Sequence, residues 1–335
     1  MISASGRGAL RLAIIDDYHD VAQRVADWHR LPSNISVSTF TDHVRGDELT
    51  RRLLPFDILV IMRERTQLSR EVIERLPNLK LLVTTGARNL AIDLAACRER
   101  SILVCGTDSG GGSSTVELTW ALILAVARHI VEADHVLRSG FWQPTVGVGL
   151  AGKTLGVLGL GRIGSRVARV GVAFGMDTIA WSENLTAEHA EAGGCVRVER
   201  RQLFERADVL SIHLLLTGRT RGIVSRRELG WMKPSAILIN TARAGLIDEP
   251  ALVDALKHGA IAGAGLDVHA EEPLSLDAPI RSAPNTVLTP HVGYVTRDTY
   301  KLYYSQALED VEAWLAGRPI RVISIDSPTV EVSGT

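Results

Sequence analysis

Gly159-Leu160-Gly161-Arg162-Ile163-Gly164 is the stretch whose reading decides the fold. Ahead of it, Thr154-Leu155-Gly156-Val157-Leu158 is a short apolar run of buried-strand type. Behind it, over residues 165–174, Val167, Ala168, Val170, Gly171 and Phe174 recur at helical spacing. A G-x-G-x-x-G carries weight only in such a strand–turn–helix context. The first glycine makes the turn, the second lets the backbone approach a pyrophosphate, and the third lets the helix pack on the strand. First-turn N–H groups then face the anion. Gly159, Gly161, Arg162, Ile163 and Gly164 are therefore expected to hold a dinucleotide.

Working outward, 335 residues favour two domains, each large enough for its own core. A formal charge of -1 argues against a nucleic-acid surface or a polybasic membrane patch. Cys97, Cys105 and Cys195 are too few and too scattered for a disulfide framework, and read as reduced, buried thiols. The N-terminus shows no signal-peptide pattern, and the purest apolar run, residues 120–127, is far short of a membrane span. A cytoplasmic protein is expected.

From residue 11 the pattern alternates. Strands are expected at 12–15, 35–40, 57–62, 79–85 and 102–105, with amphipathic segments at 47–54, 69–76 and 91–100 between them. Such alternation implies a parallel, helix-covered sheet. Ser109-Gly110-Gly111-Gly112-Ser113-Ser114 breaks it as a hinge or linker by composition. One long helix is expected over 115–138. After the fingerprint come strands at 178–181, 209–213, 236–241, 262–268 and 287–289. A last helix over 299–316 ends at Gly317 and Pro319.

An acid about twenty residues past the fingerprint commonly holds the adenosine ribose of NAD. Here Ser182 stands at that place and Glu183 one residue later, with no Arg or Lys close behind to clamp a 2′-phosphate. The reading leans to NAD. Three later segments each place polar groups at the carboxyl end of an apolar strand, where open α/β sheets bind ligands. They are Ile239-Asn240-Thr241-Ala242-Arg243, Gly265-Leu266-Asp267-Val268 running to Glu272-Pro273, and Leu288-Thr289-Pro290-His291. Taken singly, Arg243 reads as well as an ion-pair partner, Glu272 as a solvated acid and His291 as a structural histidine. Together they supply a carboxylate fork, an acid to orient and charge a histidine, and a proton donor.

With these motifs the chain resembles the D-isomer-specific 2-hydroxyacid dehydrogenases over nearly its whole length. GLGRIG, the Asn240-to-Glu249 run NTARAGLIDE, GLDV…EEPL from Gly265 to Leu274, and LTPHVG from Leu288 to Gly293 follow in the family's order and spacing. The resemblance implies Arg243, Glu272 and His291 as catalytic residues. It adds His213, Thr220, Thr241, Ala242, Asp267 and Gly293 to Ser182, Glu183 and the fingerprint as cofactor contacts. It also implies substrate contacts from Gly86, Ala87 and Arg88 and from Arg63 and Arg65, and no metal. The fold it implies is α/β with two doubly wound parallel-sheet domains. A Rossmann cofactor domain, 113–297, would be inserted into a flavodoxin-like substrate domain, 1–112 plus 298–335. It implies a homodimer with the helix at 115–138 in the interface.

Four positions depart from the family pattern. Ala244 replaces the glycine after Arg243, Leu215 a proline, Leu118 a histidine, and Ser182 the ribose-binding Asp, which leaves NADP open beside NAD. The activity implied is hydride transfer between the nicotinamide cofactor and a small 2-oxo or 2-hydroxy acid of D configuration. Its carboxylate would lie on Arg243 and on the Gly86 and Ala87 N–H groups, with His291 as proton donor. The competing readings are a formate-type dehydrogenase, against which Glu272 argues because those carry glutamine there, and an NAD(H)-sensing protein of the corepressor type.

Overall fold

The computed structural model describes residues 8–324. The chain divides into two compact units, one ending at Gly111 and resuming at Thr296, the other Gly112–Val295. Strands β1 (Leu10–Ile14), β2 (Ile35–Thr39), β3 (Ile58–Ile61), β4 (Leu81–Thr84) and β5 (Leu103–Gly106) belong to the first unit. They form one parallel sheet in the order β2-β1-β3-β4-β5. Every residue of β3 and β4 is buried, as continuous Ile/Leu/Val runs require when helices cover both faces. The order reverses between β1 and β3, the switch point of a flavodoxin-like sheet.

The second unit holds β6 (Thr154–Leu158), β7 (Asp177–Trp181), β8 (Val196–Arg197), β9 (Val209–Ile212), β10 (Ile237–Asn240), β11 (Gly263–Leu266) and β12 (Thr286–Leu288). All are parallel, in the order β12-β11-β10-β9-β6-β7-β8. This is the Rossmann order with one further strand, and its switch point lies between β6 and β9. Two apolar layers sandwich the sheet. On one side are Leu158, Phe204, Leu210, Leu238 and Leu252; on the other are Trp120, Ile123, Leu155, Val157 and Val167. Trp120 stacks on Phe174 at 4.9 Å between centroids and donates its Nε1–H to the Val167 carbonyl at 3.2 Å.

The expected single helix at 115–138 is two, Ser113–Ala127 and Ile130–Arg138. His129 between them is left-handed (φ 51°), and the Ala127 carbonyl accepts the N–H of Val148 at 2.7 Å instead of continuing a helical ladder. That long-range bond is invisible to local periodicity. The fingerprint helix begins at Arg162, earlier than the apolar spacing suggested, because its first turn carries no apolar repeat. β8 was not anticipated: its two residues are both exposed.

At the switch point the glycines work by close approach. Gly159 has φ 103°, and a Cβ there would stand 2.8 Å from the His213 carbonyl carbon, pressing on the turn that follows β9. A Cβ on Gly164 would overlap the carbonyl oxygen of Gly159, which is backbone and cannot swing away. Gly164→Ala should therefore push the helix off β6, costing about 1–3 kcal/mol, the usual scale of overpacking. Thermal unfolding and NADH titration of the variant check this. An unshifted melting curve with wild-type NADH affinity would show that the helix has slack.

Candidate active site

The end of β11 and the loop after β12 build the centre of the second unit. Asp267, the first residue after β11, is buried. Its Oδ1 accepts from Thr289 Oγ1 (2.6 Å) and from the Val292 N–H (2.8 Å), and its Oδ2 from the Gly293 N–H (2.8 Å). Burial raises the Asp267 carboxyl above its ordinary range, against the pull of these donors and of nearby His291. Five residues on, Glu272 places Oε2 at 2.7 Å from His291 Nδ1, and its Oε1 accepts the N–H of His269 at 3.0 Å. Burial works to raise the Glu272 carboxyl, but the His291 hydrogen bond, its charge and the His269 N–H outweigh it and hold it below the usual value.

A carboxylate at Nδ1 sets the histidine's tautomer and orientation and leaves Nε2 for chemistry. Tyr294 packs edge-on to the His291 ring, centroids 5.7 Å apart. His291 itself is left-handed (φ 56°), so the loop rather than its own preference fixes it.

Arg243 follows β10 in extended conformation. The Asn240 side chain shapes that turn: its Nδ2–H donates to the Arg243 carbonyl (2.9 Å) and its Oδ1 accepts the Ala242 N–H (3.0 Å). Arg243 Nη1 donates to the Ala242 carbonyl at 2.8 Å. The Thr241 hydroxyl meets Thr119 Oγ1 at 2.9 Å, and Thr119 in turn donates to Thr115.

The fingerprint fits a dinucleotide. Gly161 caps the helix Arg162–Ala173 with no side-chain cap, and open space lies where its Cβ would project. The N–H groups of Ile163 and Gly164 have no partner among the described residues. An anion there gains both those donors and the helix dipole. Ser182 is the first residue past β7, and Glu183 beside it is exposed. The Ser182 carbonyl accepts from Leu185, whose own carbonyl is held by Arg197 Nε at 2.8 Å. His213 Nε2 meets Ser211 Oγ at 2.8 Å, and burial pushes its imidazole down to about 4, so it is neutral. Thr220 is spent on its own turn, donating to the Leu215 carbonyl at 2.6 Å.

The first unit carries its own polar set. Arg63, left-handed at φ 48°, lays its guanidinium against Gly86 and donates to the Tyr303 hydroxyl at 3.3 Å. Arg65 donates to the Asp16 carbonyl (2.6 Å) and the Tyr300 hydroxyl (3.2 Å), and lies over the Tyr18 ring. The Gly86 N–H, expected to face a substrate carboxylate, donates instead to Thr107 Oγ1 at 2.7 Å. The N–H groups of Ala87 and Arg88 have no partner among the described residues and are the free donors of that turn. Asn240, His269 and Thr289 stand outside the set of expected site residues, although the segments quoted for their polar groups include Asn240 and Thr289. Asn240 lies in the quoted NTAR run, whereas a lone His269 carries no periodic or motif signal.

Residues 120–293 match the family model for the NAD binding domain of D-isomer specific 2-hydroxyacid dehydrogenases. The chain belongs to that family. It is 40% identical over 257 residues to the glyoxylate reductase of Aeropyrum pernix, covering 74% of this chain and 77% of the relative. It is 39% identical over 311 residues to the D-3-phosphoglycerate dehydrogenase of Methanocaldococcus jannaschii, covering 92% of this chain but 58% of that longer protein. Among solved structures, phosphoglycerate oxidoreductase from Vibrio cholerae superposes with TM-score 0.86 at 36% identity, covering 92% of this chain and 99% of that one. The fold expected from the motifs, two parallel-sheet α/β units, is thus the observed one, and the second unit matches the family's NAD binding domain.

Because the Glu272 carboxyl is held below its ordinary value, the contact with His291 persists above that value and is lost only as pH falls through the depressed one. It is therefore charged at neutral pH and favours imidazolium. Glu272→Gln removes that charge. In the reduction direction the fall of kcat/KM with rising pH should then begin about one unit lower than in wild type. A pH–rate profile that does not move would disconnect this carboxylate from the proton.

Proposed function

We propose that the protein interconverts a small 2-oxo acid and the corresponding D-2-hydroxy acid, with NADH favoured over NADPH. The observation carrying this reading is the 2.7 Å Glu272–His291 pair at the carboxyl ends of β11 and β12, in the unit that holds the nucleotide fingerprint. When bound, the nicotinamide supplies the hydride for the carbonyl carbon. His291 gives its Nε2 proton to the carbonyl oxygen in reduction and takes it back in oxidation, a role suited to an imidazole oriented by a carboxylate at Nδ1. Glu272 stabilises the charged ring. The Arg243 guanidinium is a planar fork that fixes a carboxylate's orientation. Within the first unit, the N–H groups of Ala87 and Arg88, with no partner among the described residues, are donors of the kind a carboxylate accepts from.

NADH is favoured because a 2′-phosphate would meet exposed Glu183, while Arg197 is committed to the Leu185 carbonyl and Arg200, which lies by the Trp181 ring, to the Ile223 carbonyl and Glu228. The reading includes a homodimer. Ile130, Val131 and Leu137 on the helix Ile130–Arg138 are exposed, and beyond it Phe141, Trp142 (77%) and Val146 (93%) stand open. Several large exposed apolar side chains along one stretch of chain are the composition of an association surface. A cytoplasmic location accords with three free, buried cysteines, whose thiols burial pushes up to about 12, 12 and 11. No single helix among the described residues is long and apolar enough to cross a membrane.

Initial rates with a panel of 2-oxo acids and both cofactors test the reaction. The wild type should turn over at least one with NADH preferred, and His291→Ala should lower kcat by roughly 10²–10⁴-fold while NADH still binds. Preference for NADPH would overturn the cofactor assignment, and near-normal turnover in the folded variant would remove His291 from the chemistry. Light scattering should give twice the chain mass, falling toward the monomer for Trp142→Glu; a monomeric wild type would refute the dimer.

A further inference from the structure

We infer that His269 is a positioning residue that holds the Glu272–His291 pair in register. The inference rests on the reaction proposed above and adds a residue to it. His269 is 7% exposed and sits between Asp267 and Glu272 in the segment after β11. Two of its polar groups reach the two sides of the proton-transfer pair. The backbone N–H donates to Glu272 Oε1 at 3.0 Å, and ring Nε2 lies 2.9 Å from the Thr289 carbonyl oxygen. A carbonyl only accepts, so the ring carries its proton on Nε2. Nδ1 is buried and has no partner among the described residues.

The Thr289 carbonyl is the one that matters, because it also accepts the backbone N–H of His291 at 3.0 Å. That bond spans two residues, a γ-turn centred on Pro290, whose ring restricts φ to the range such turns use. His291 leaves the turn left-handed, at φ 56°. The bond to the His269 ring occupies the carbonyl's second lone pair and stops the peptide from rotating about the turn. Asp267 grips the same loop at Thr289, Val292 and Gly293, but none of those bonds touches this carbonyl. Rotation there would swing His291 Nδ1 away from Glu272, whose other oxygen is tethered to His269 itself. One residue thus indexes both members of the pair.

What the histidine supplies is a donor at the reach of Nε2, 2.9 Å from the Thr289 carbonyl. His269→Phe keeps the ring and removes the donor. Gln places an N–H about where Nε2 lies, whereas Asn reaches only to the Nδ1 position. With NADH and the best 2-oxo acid of the panel, His269→Phe and His269→Asn should lose about ten- to a hundredfold in kcat, the scale of small misplacement of a reacting group. KM for both substrates should stay within about twofold, and NADH affinity by fluorescence should be unchanged, since no substrate contact is removed. His269→Gln should recover most of the lost kcat. In 15N-labelled wild type, one imidazole signal should show an Nε2-protonated neutral ring that is missing from His269→Gln. The inference fails if His269→Phe keeps wild-type kcat, if Gln and Asn lose equally while all melt alike, or if the labelled ring is protonated on Nδ1. If His269→Phe does not fold, the Gln–Asn comparison decides. A wild type that reduces no 2-oxo acid refutes the reaction itself, and the labelled ring then decides whether the Thr289 anchor exists.

Discussion

A single buried carboxylate, that of Asp267, organises the chemistry of the second unit. Removing a carboxylate from water costs several kcal/mol unless donors replace the solvent. Here Thr289 Oγ1 and the N–H groups of Val292 and Gly293 do so. All three donors come from the loop that carries His291. The need to satisfy one buried charge thereby fixes the path of the loop, and the loop fixes the histidine. Glu272 then meets a ring already in place, and spends its second oxygen on the chain beside Asp267.

Parallel topology explains why these groups meet. β10, β11 and β12 are adjacent and point the same way, so Asn240, Leu266 and Leu288 end at one edge of the sheet. The residues immediately beyond them are Thr241 to Arg243, Asp267 and Thr289. Behind that edge runs the helix Ser113–Ala127, which packs its apolar face on the sheet but turns two threonines toward the loops. Thr115 Oγ1 donates to the Gly293 carbonyl at 3.2 Å, and Thr119 meets Thr241. The same helix therefore closes the hydrophobic layer and floors the site. A hydroxyl lost there would leave a buried polar group unpaired, which costs more than the bond contributes.

The cofactor edge is organised by absence of side chains. Gly159 and Gly164 allow backbone to approach backbone at the β6–β9 switch point, and Gly161 leaves open space at a helix N-terminus. The unpaired donors of that first turn are tolerable because they face where an anion is received. In the first unit the free N–H groups of Ala87 and Arg88 have the same character. Gly86 does not, since Thr107 has taken its donor.

Much of this was legible in the chain itself. Strand–helix alternation and the fingerprint determine a parallel α/β architecture, because period and glycine placement are local properties of the backbone. The ordered motifs likewise place Arg243, Glu272 and His291 at strand ends. What only tertiary structure decided are interactions whose partners are far apart in sequence. The break at His129 depends on Val148, the Gly86 donor is lost to Thr107, and Thr241 turns to Thr119. His269 carries no signal in the sequence because its partner, the Thr289 carbonyl, is a backbone atom of another strand's loop. Sequence patterns record which side chains are present; where a carbonyl oxygen points is settled only when the strands are assembled.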